Sequence, residues 1–155
     1  MRRLIFLVAE RCLGCRTCEI ECVLAHVGGK TLEEVVGEGG GGMPRVSVDD
    51  ISGLAVPLHC CQCEAAACVL VCPSRALSRD SATGIVRIDE TKCVGCGSCI
   101  LVCPFGVLQR GSRGTVISKC DLCRERLEKG EYPACVSGCP TGALRLVEVK
   151  EDGGR

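Results

Sequence analysis

A chain of 155 residues has room for one domain, or two small ones sharing a core, and here 17 residues are cysteine while Phe6, Phe105 and Tyr132 are all the aromatics. That cysteine share exceeds the ~8–10% that marks a cysteine scaffold, yet an odd count, no secretory signal and tight C-x2-C clusters speak against a secreted disulfide framework and for metal ligation. Formal net charge is zero with no basic block interleaved with aromatics, which argues against nucleic acid, and no apolar run reaches the ~18–20 residues that cross a bilayer.

The apolar run Leu4–Ala9 follows Arg2 and Arg3; it is shorter than the ~7–15 residues of a signal-peptide core. It predicts a first strand in a cytoplasmic protein, with any membrane attachment coming through a partner. Residues 12–22, CLGCRTCEIEC, carry the first motif, Cys12, Cys15, Cys18 and Cys22. Val23 follows the last cysteine, so a helix starting after Cys18 can continue through His26. TLEEVV predicts one or two helical turns. Residues 28–45 form a connector with Gly37 and Gly39 to Gly42, a composition that favours flexible, exposed chain. Beyond Pro44 the period becomes two. Arg45–Val48 and Leu54–Leu58, joined through Asp49–Gly53, predict a β-hairpin.

Residues 59–73, HCCQCEAAACVLVCP, hold the second motif, with Cys60, Cys63, Cys68 and Cys72 as ligands. Two predicted strands, Ala76–Ser78 and Ile85–Ile88, turn at Thr83-Gly84. Residues 93–104, CVGCGSCILVCP, are the third motif: Cys93, Cys96, Cys99 and Cys103, then Pro104. Two more strands, Val107–Gln109 and Thr115–Ile117, flank a turn at Gly111–Gly114. The fourth motif, residues 120–140, has Cys120, Cys123, Cys135 and Cys139 around an insertion whose helical piece, Leu122–Lys129, ends at Gly130 as a C′ residue. Ala143–Val149 closes the chain as a strand before a polar tail.

The organisation is therefore a fourfold internal repeat of strand, cysteine loop, short helix, cysteine and strand. The third motif is the C-x2-C-x2-C-x3-C-P run through which bacterial ferredoxins hold [4Fe–4S] clusters, the fourth cysteine reaching a neighbouring cluster. Clusters would also fill an interior almost without aromatics and make folding depend on them. Four such clusters would add about −8 of charge. Arg16, Lys92, Lys119, Arg124 and Arg126 would offset it and raise potentials, while Glu19, Glu21 and Glu64 would lower them. On this reading Lys92→Glu lowers the potential of the cluster bound by Cys93.

Exchange of the fourth cysteine between paired motifs gives four sites when the second motif pairs with the third and the first with the fourth. They are Cys12/Cys15/Cys18/Cys139, Cys120/Cys123/Cys135/Cys22, Cys60/Cys63/Cys68/Cys103 and Cys93/Cys96/Cys99/Cys72. Pairing first with second and third with fourth is the alternative. The expected fold is α+β, two pseudo-symmetric bacterial ferredoxin-like modules in one chain. Residues 1–27 plus 110–149 form one and 57–109 the other, with 28–56 as connector and hairpin and 150–155 as tail. Cys61 remains over as a free thiol beside a cluster, with redox sensing as its alternative. His26 and His59 read as structural, although His59 could donate to a cluster sulfur. Zinc suits the fourth motif taken alone, but not two triple C-x2-C-x2-C runs.

PLHCCQCEAAACVLVCP, CVGCGSCILVCPFGVL and CDLCRERLEKGEYPACVSGCPTGAL resemble the four-cluster ferredoxin-type subunits of complex iron–sulfur oxidoreductases. Dimethyl sulfoxide reductase, formate dehydrogenase, formate hydrogenlyase and CO dehydrogenase systems use such subunits. The resemblance spans roughly residues 3–149, and its cluster pairing is first with fourth and second with third. The short chain and CLGCRTCEIECVLAH followed by KTLEEV look most like the iron–sulfur subunit serving CO dehydrogenase. The resemblance implies non-catalytic electron transfer in an anaerobic setting, between that enzyme and a hydrogenase or a flavin or NAD(P) oxidoreductase. A hydrogenase, formate dehydrogenase or molybdopterin enzyme is the alternative partner. Some relatives lack one ligand cysteine, whereas every such position is filled here; at Cys61 relatives usually carry another polar residue. An enzyme using a cluster with an open iron would need a three-cysteine site, which the spacing does not offer.

Overall fold

Short apolar alternations that each find one antiparallel partner account for all the strands among the described residues, which are 2–37, 42–111 and 116–149 of a computed structural model. Strand β1 (Arg2–Leu7) pairs with β8 (Leu144–Val149), so the two ends of the described chain meet. Alternation along this ribbon buries Ile5 and Leu144 and leaves Arg3 and Glu148 as an outer ion pair at 3.0 Å. β2 (Val46–Ile51) and β3 (Leu54–His59) form the expected hairpin. Its two-residue loop, Ser52 and Gly53, has positive φ at both positions (57° and 82°), the geometry whose twist suits a tight hairpin. β4 (Leu77–Arg79) pairs with β5 (Val86–Ile88), and β6 (Gln109–Arg110) with β7 (Ile117–Ser118). The β6 ladder starts at Gln109, later than the alternation suggests, because Leu108 turns into the interior.

Helix α1 (Thr17–His26) runs through Cys18 and Cys22, as the missing proline after Cys22 allows. α2 (Leu32–Gly37) opens on a reciprocal cap: the Glu34 carboxylate accepts the Thr31 N–H at 2.6 Å, and the Thr31 hydroxyl accepts the Glu34 N–H at 3.3 Å. α3 (Ala67–Leu70), α4 (Ser98–Leu101) and α6 (Ala134–Ser137) are single turns, each carrying one motif cysteine. α5 (Arg124–Glu128) ends as expected at Gly130, with φ 77°. The Gly130 N–H bonds the Leu127 carbonyl and the Glu131 N–H bonds the Arg126 carbonyl, the paired closure of a Schellman end. Most of the glycine run at 37–42, part of the Gly111–Gly114 turn and the polar tail lie outside the described residues. No described helix is long and apolar enough to cross a membrane.

Two cores result, and cysteine sulfurs take the place that aromatic rings hold elsewhere. The first gathers Ile5, Val46, Val48, Ile85, Leu122 and Leu144 with Cys18, Cys22, Cys60, Cys120 and Cys135. The second gathers Leu77, Val86, Leu108 and Ile117 with Cys99, against which Cys63, Cys68, Cys72, Cys93 and Cys103 pack. Helix α1 packs on α6 in the first, and α3 on α4 in the second. Val46 and Val48 thus join the hairpin to the first core, while Ile117, from the far side of the third motif, sits in the second.

Candidate metal centre

Each of the four C-x-x-C loops turns in the same way. The residue just before the second cysteine lies in the left-handed region: Gly14 at φ 67°, Gln62 at 49°, Gly95 at 67° and Leu122 at 60°. Such a turn swings successive backbone N–H groups to one side, a concavity suited to a negatively charged group. None of the seventeen cysteines is paired in a disulfide.

Those thiols lie in four neighbourhoods. Cys12, Cys15, Cys18 and Cys139 line one cavity, with about 300 Å³ of space not filled by protein. Cys72, Cys93, Cys96 and Cys99 line a second, of about 290 Å³. Burial, followed by repulsion from Cys120, Cys123 and Cys22, pushes the Cys135 thiol far above its ordinary value. Burial, followed by Cys60 and, more weakly, Cys103, raises Cys68; the field at Cys61 comes from Cys63, Cys60 and Cys103. Both cavities draw three thiols from one motif and one from another, and the influences at Cys135 and Cys68 likewise cross between motifs. Three links join them: Cys18 is felt at Cys135, Cys60 at Cys120, and Cys68 at Cys99.

The outer and inner neighbourhoods differ chemically. At the outer two, a hydroxyl two residues beyond a cysteine faces its sulfur: Thr17 at 3.4 Å from Cys15, Ser98 at 3.5 Å from Cys96, and Ser74 and Thr141 each at 3.7 Å from Cys72 and Cys139. The Thr17 and Ser98 hydroxyls are the largest influence lowering Cys15 and Cys96; at Cys72 and Cys139 burial opposes, and backbone and hydroxyl contacts overcome it. Sequence reasoning missed this C-x-[ST] recurrence, although it is written in the chain. Burial raises thiols at both kinds of site, Cys18 up to about 11 and Cys99 at the outer ones and Cys120 up to about 12 at an inner one. Backbone N–H groups of Arg45 and Leu122 point at the sulfurs of Cys22 (3.2 Å) and Cys120 (3.4 Å).

The remaining expected residues divide. Cys61 is half-buried and its carbonyl accepts from Arg2 at 3.0 Å. His59 directs Nε2 to the Ile5 carbonyl at 3.0 Å, while its buried Nδ1 has no partner among the described residues. His26 lies against the Cys22 carbonyl at 2.6 Å and Asp121 at 3.4 Å. Burial disfavours its charge, but the bonds to Asp121 and Cys22 prevail and take it up to about 10. Asp121 also binds Arg45 at 2.8 Å and accepts the Cys123 N–H at 3.0 Å, bracing the loop. The surface cations near the motifs are paired: Arg16 with Glu19, Lys92 with Asp89, Arg124 with Glu128 and Arg126 with Glu131. Lys119 is buried.

Four soft sulfur donors lining one hollow are a donor set that fits an iron–sulfur cube. The 4Fe-4S dicluster domain family matches residues 51–149. The chain is 39% identical over 158 residues to the "Iron-sulfur protein" of Rhodospirillum rubrum, covering 94% of this chain and 82% of that one. It is 36% identical over 153 residues to the thiosulfate reductase electron transfer subunit PhsB of Salmonella typhi, covering 92% and 73%. Among solved structures, a chain of the active site complex BamBC of benzoyl coenzyme A reductase in complex with zinc superposes with a TM-score of 0.50 at 27% identity, over 97% of this chain and 82% of that one.

Proposed function

The chain belongs to the 4Fe-4S dicluster domain family, and from that premise we propose that it is a non-catalytic electron-transfer subunit carrying four [4Fe–4S] clusters. Cys12, Cys15, Cys18 and Cys139 hold one; Cys22, Cys120, Cys123 and Cys135 the next; Cys60, Cys63, Cys68 and Cys103 the third; Cys72, Cys93, Cys96 and Cys99 the fourth. The observation that supports it most is that two cavities each combine three cysteines of one motif with one of its partner motif. Helix packing of α1 on α6 and α3 on α4 supports the same pairing of motifs. Bound there, each cluster supplies reversible one-electron chemistry.

The polypeptide holds, insulates and tunes. Exposed Cys15 and Cys96 put the outer two sites at the surface, where donor and acceptor proteins can dock. Buried Cys120, Cys123 and Cys135 keep an inner site dry. The partner is a catalytic oxidoreductase subunit. CO dehydrogenase is the reading that the first motif and KTLEEV favour; the likeness to the thiosulfate reductase electron transfer subunit PhsB supports a reductase as a second.

Iron and acid-labile sulfide on anaerobically purified protein test the proposal: about sixteen of each per chain are expected. Cys15→Ala and Cys103→Ala should each disturb one cluster, the second one belonging with Cys60 rather than with Cys93. A chain that is colourless, or that holds zinc at tetrahedral sites when produced in iron-replete cells, overturns it. Copurification with a catalytic subunit identifies the partner.

A further inference from the structure

Lys119 is only 2% exposed, a rare state for lysine. Its Nζ donates to the Val86 carbonyl at 2.5 Å and the Cys120 carbonyl at 2.6 Å. Gln62, fully buried, closes the same ring: Nε2 donates to the Cys120 carbonyl at 3.0 Å, and Oε1 accepts the Val86 N–H at 2.8 Å. Val86 belongs to the second core and Cys120 to the first, so the ring straddles their junction. Both hydrogen bonds of the lysine nitrogen end on neutral carbonyls, although an ammonium taken out of water ordinarily demands an opposite charge.

The two inner sites are the ones it adjoins. Its own hydrogen bond ends on the carbonyl of Cys120, and Gln62, which holds that same carbonyl, lies in the loop between Cys60 and Cys63. These cysteines belong to different neighbourhoods, the two that meet at the junction. The surface cations beside the motifs, Arg16 and Lys92 at the outer sites and Arg124 and Arg126 beyond Cys123, sit in water and face carboxylates at 2.6–3.3 Å, where solvent and partner cancel most of their reach. An interior charge is not screened in this way.

Resting on the four-cluster reading, we propose that Lys119 tunes the inner pair of sites, holding the clusters of Cys60/Cys63/Cys68/Cys103 and Cys22/Cys120/Cys123/Cys135 at higher reduction potentials than they would otherwise have, with Gln62 fixing the carbonyls that aim the ammonium between them. One electron entering either site adds one negative charge, which the buried cation stabilises; one electron leaves again, and no bond or proton changes hands. The middle of the relay thereby becomes the place where an electron rests, and the exposed ends remain the places where it is exchanged.

The test is an anaerobic redox titration of the complete chain followed by EPR, with the outer signals identified from Cys15→Ala and Cys96→Ala. Lys119→Met should move the two inner potentials to more negative values and leave the outer two in place. Lys119→Arg should restore them, and Lys92→Met should move none. Four unchanged potentials in Lys119→Met at full iron content overturn the proposal, as does an equal shift of all four. If Lys119→Met loses iron, Lys119→Gln, which keeps a donor for the two carbonyls, decides; loss of iron in both makes the lysine a structural staple and overturns the tuning role. A wild-type chain with fewer than four signals instead refutes the four-cluster reading on which this rests.

Discussion

Replacing Gln62 by Leu probes the junction between the cores at its least forgiving point. The substitution keeps most of the buried volume and removes both amide contacts. The Cys120 carbonyl retains Lys119 at 2.6 Å, so it stays satisfied. The Val86 N–H has Gln62 Oε1 at 2.8 Å and loses it, in a residue with no exposed surface. A buried donor left alone costs about 1–3 kcal/mol. At about 1.4 kcal/mol per factor of ten, this is roughly a 5- to 150-fold effect if it is all expressed on the unfolding side. Cluster loss makes unfolding irreversible, so a rate is the proper measure. The assay is anaerobic bleaching of the visible cluster absorbance in guanidinium, with the exposed Glu125→Gln as control. Gln62→Leu should bleach at least several-fold faster. Rates equal to the control across the denaturant range would show that the amide ring contributes nothing, and the argument for a constrained junction would fall with it.

Gly138 sits where α6 meets α1, and a β-carbon there would lie 2.4 Å from Glu21 Cγ and 3.3 Å from the Ala134 carbonyl. Gly138→Ala should therefore destabilise the first core by about 1–3 kcal/mol, read as faster bleaching, and Glu21→Ala in the same chain should recover most of the loss; independence of the two substitutions would contradict the contact. Leu122→Ala empties a fully buried site in the first core and should cost about 2–5 kcal/mol, whereas the same change at exposed Leu13 should cost almost nothing in that assay. Cys61→Ala should retain the wild-type iron and sulfide content and all EPR signals; a lost cluster would make Cys61 a ligand and displace Cys60 or Cys63.

Much of this was legible in the chain because cysteine spacing and period-two alternation are local. The β8 segment, the long first helix and the Gly130 stop appear where the residues put them; β1 lies at Arg2–Leu7 and gives way to a 3-10 turn at Ala9, and the hairpin turns at Ser52-Gly53 alone, with Asp49–Ile51 in its first strand. What escaped was tertiary. Lys92 and Lys119 look alike in sequence, each beside a motif cysteine, yet one lies in an exposed pair with Asp89 and the other is sealed under Val86. Only the packing of β5 against the fourth motif separates them. His59 seemed placed to serve a sulfur because it precedes Cys60, but the β1 strand, more than fifty residues away, supplies its acceptor at Ile5. The hydroxyls of Thr17, Ser74, Ser98 and Thr141 were visible and overlooked, since a serine or threonine two residues past a cysteine looks like ordinary turn chemistry.

One position in the four loops, the residue before the second cysteine, separates the outer pair from the inner pair. Left-handed backbone before the second cysteine suits glycine, and Gly14 and Gly95 occupy it at the two outer sites. A side chain there costs roughly 1–2 kcal/mol of strain, and the inner two loops accept that cost with Gln62 and Leu122, both fully buried. Their return is contact: Leu122 fills the first core, and Gln62 ties Cys120 to Val86 across the junction. Glycine stands beside exposed Cys15 and Cys96 at the outer loops, while fully buried side chains stand beside Cys63 and Cys123 at the inner ones. On the four-cluster reading, this difference at one backbone position accompanies exposure at the ends of the line and a sealed lysine in its middle.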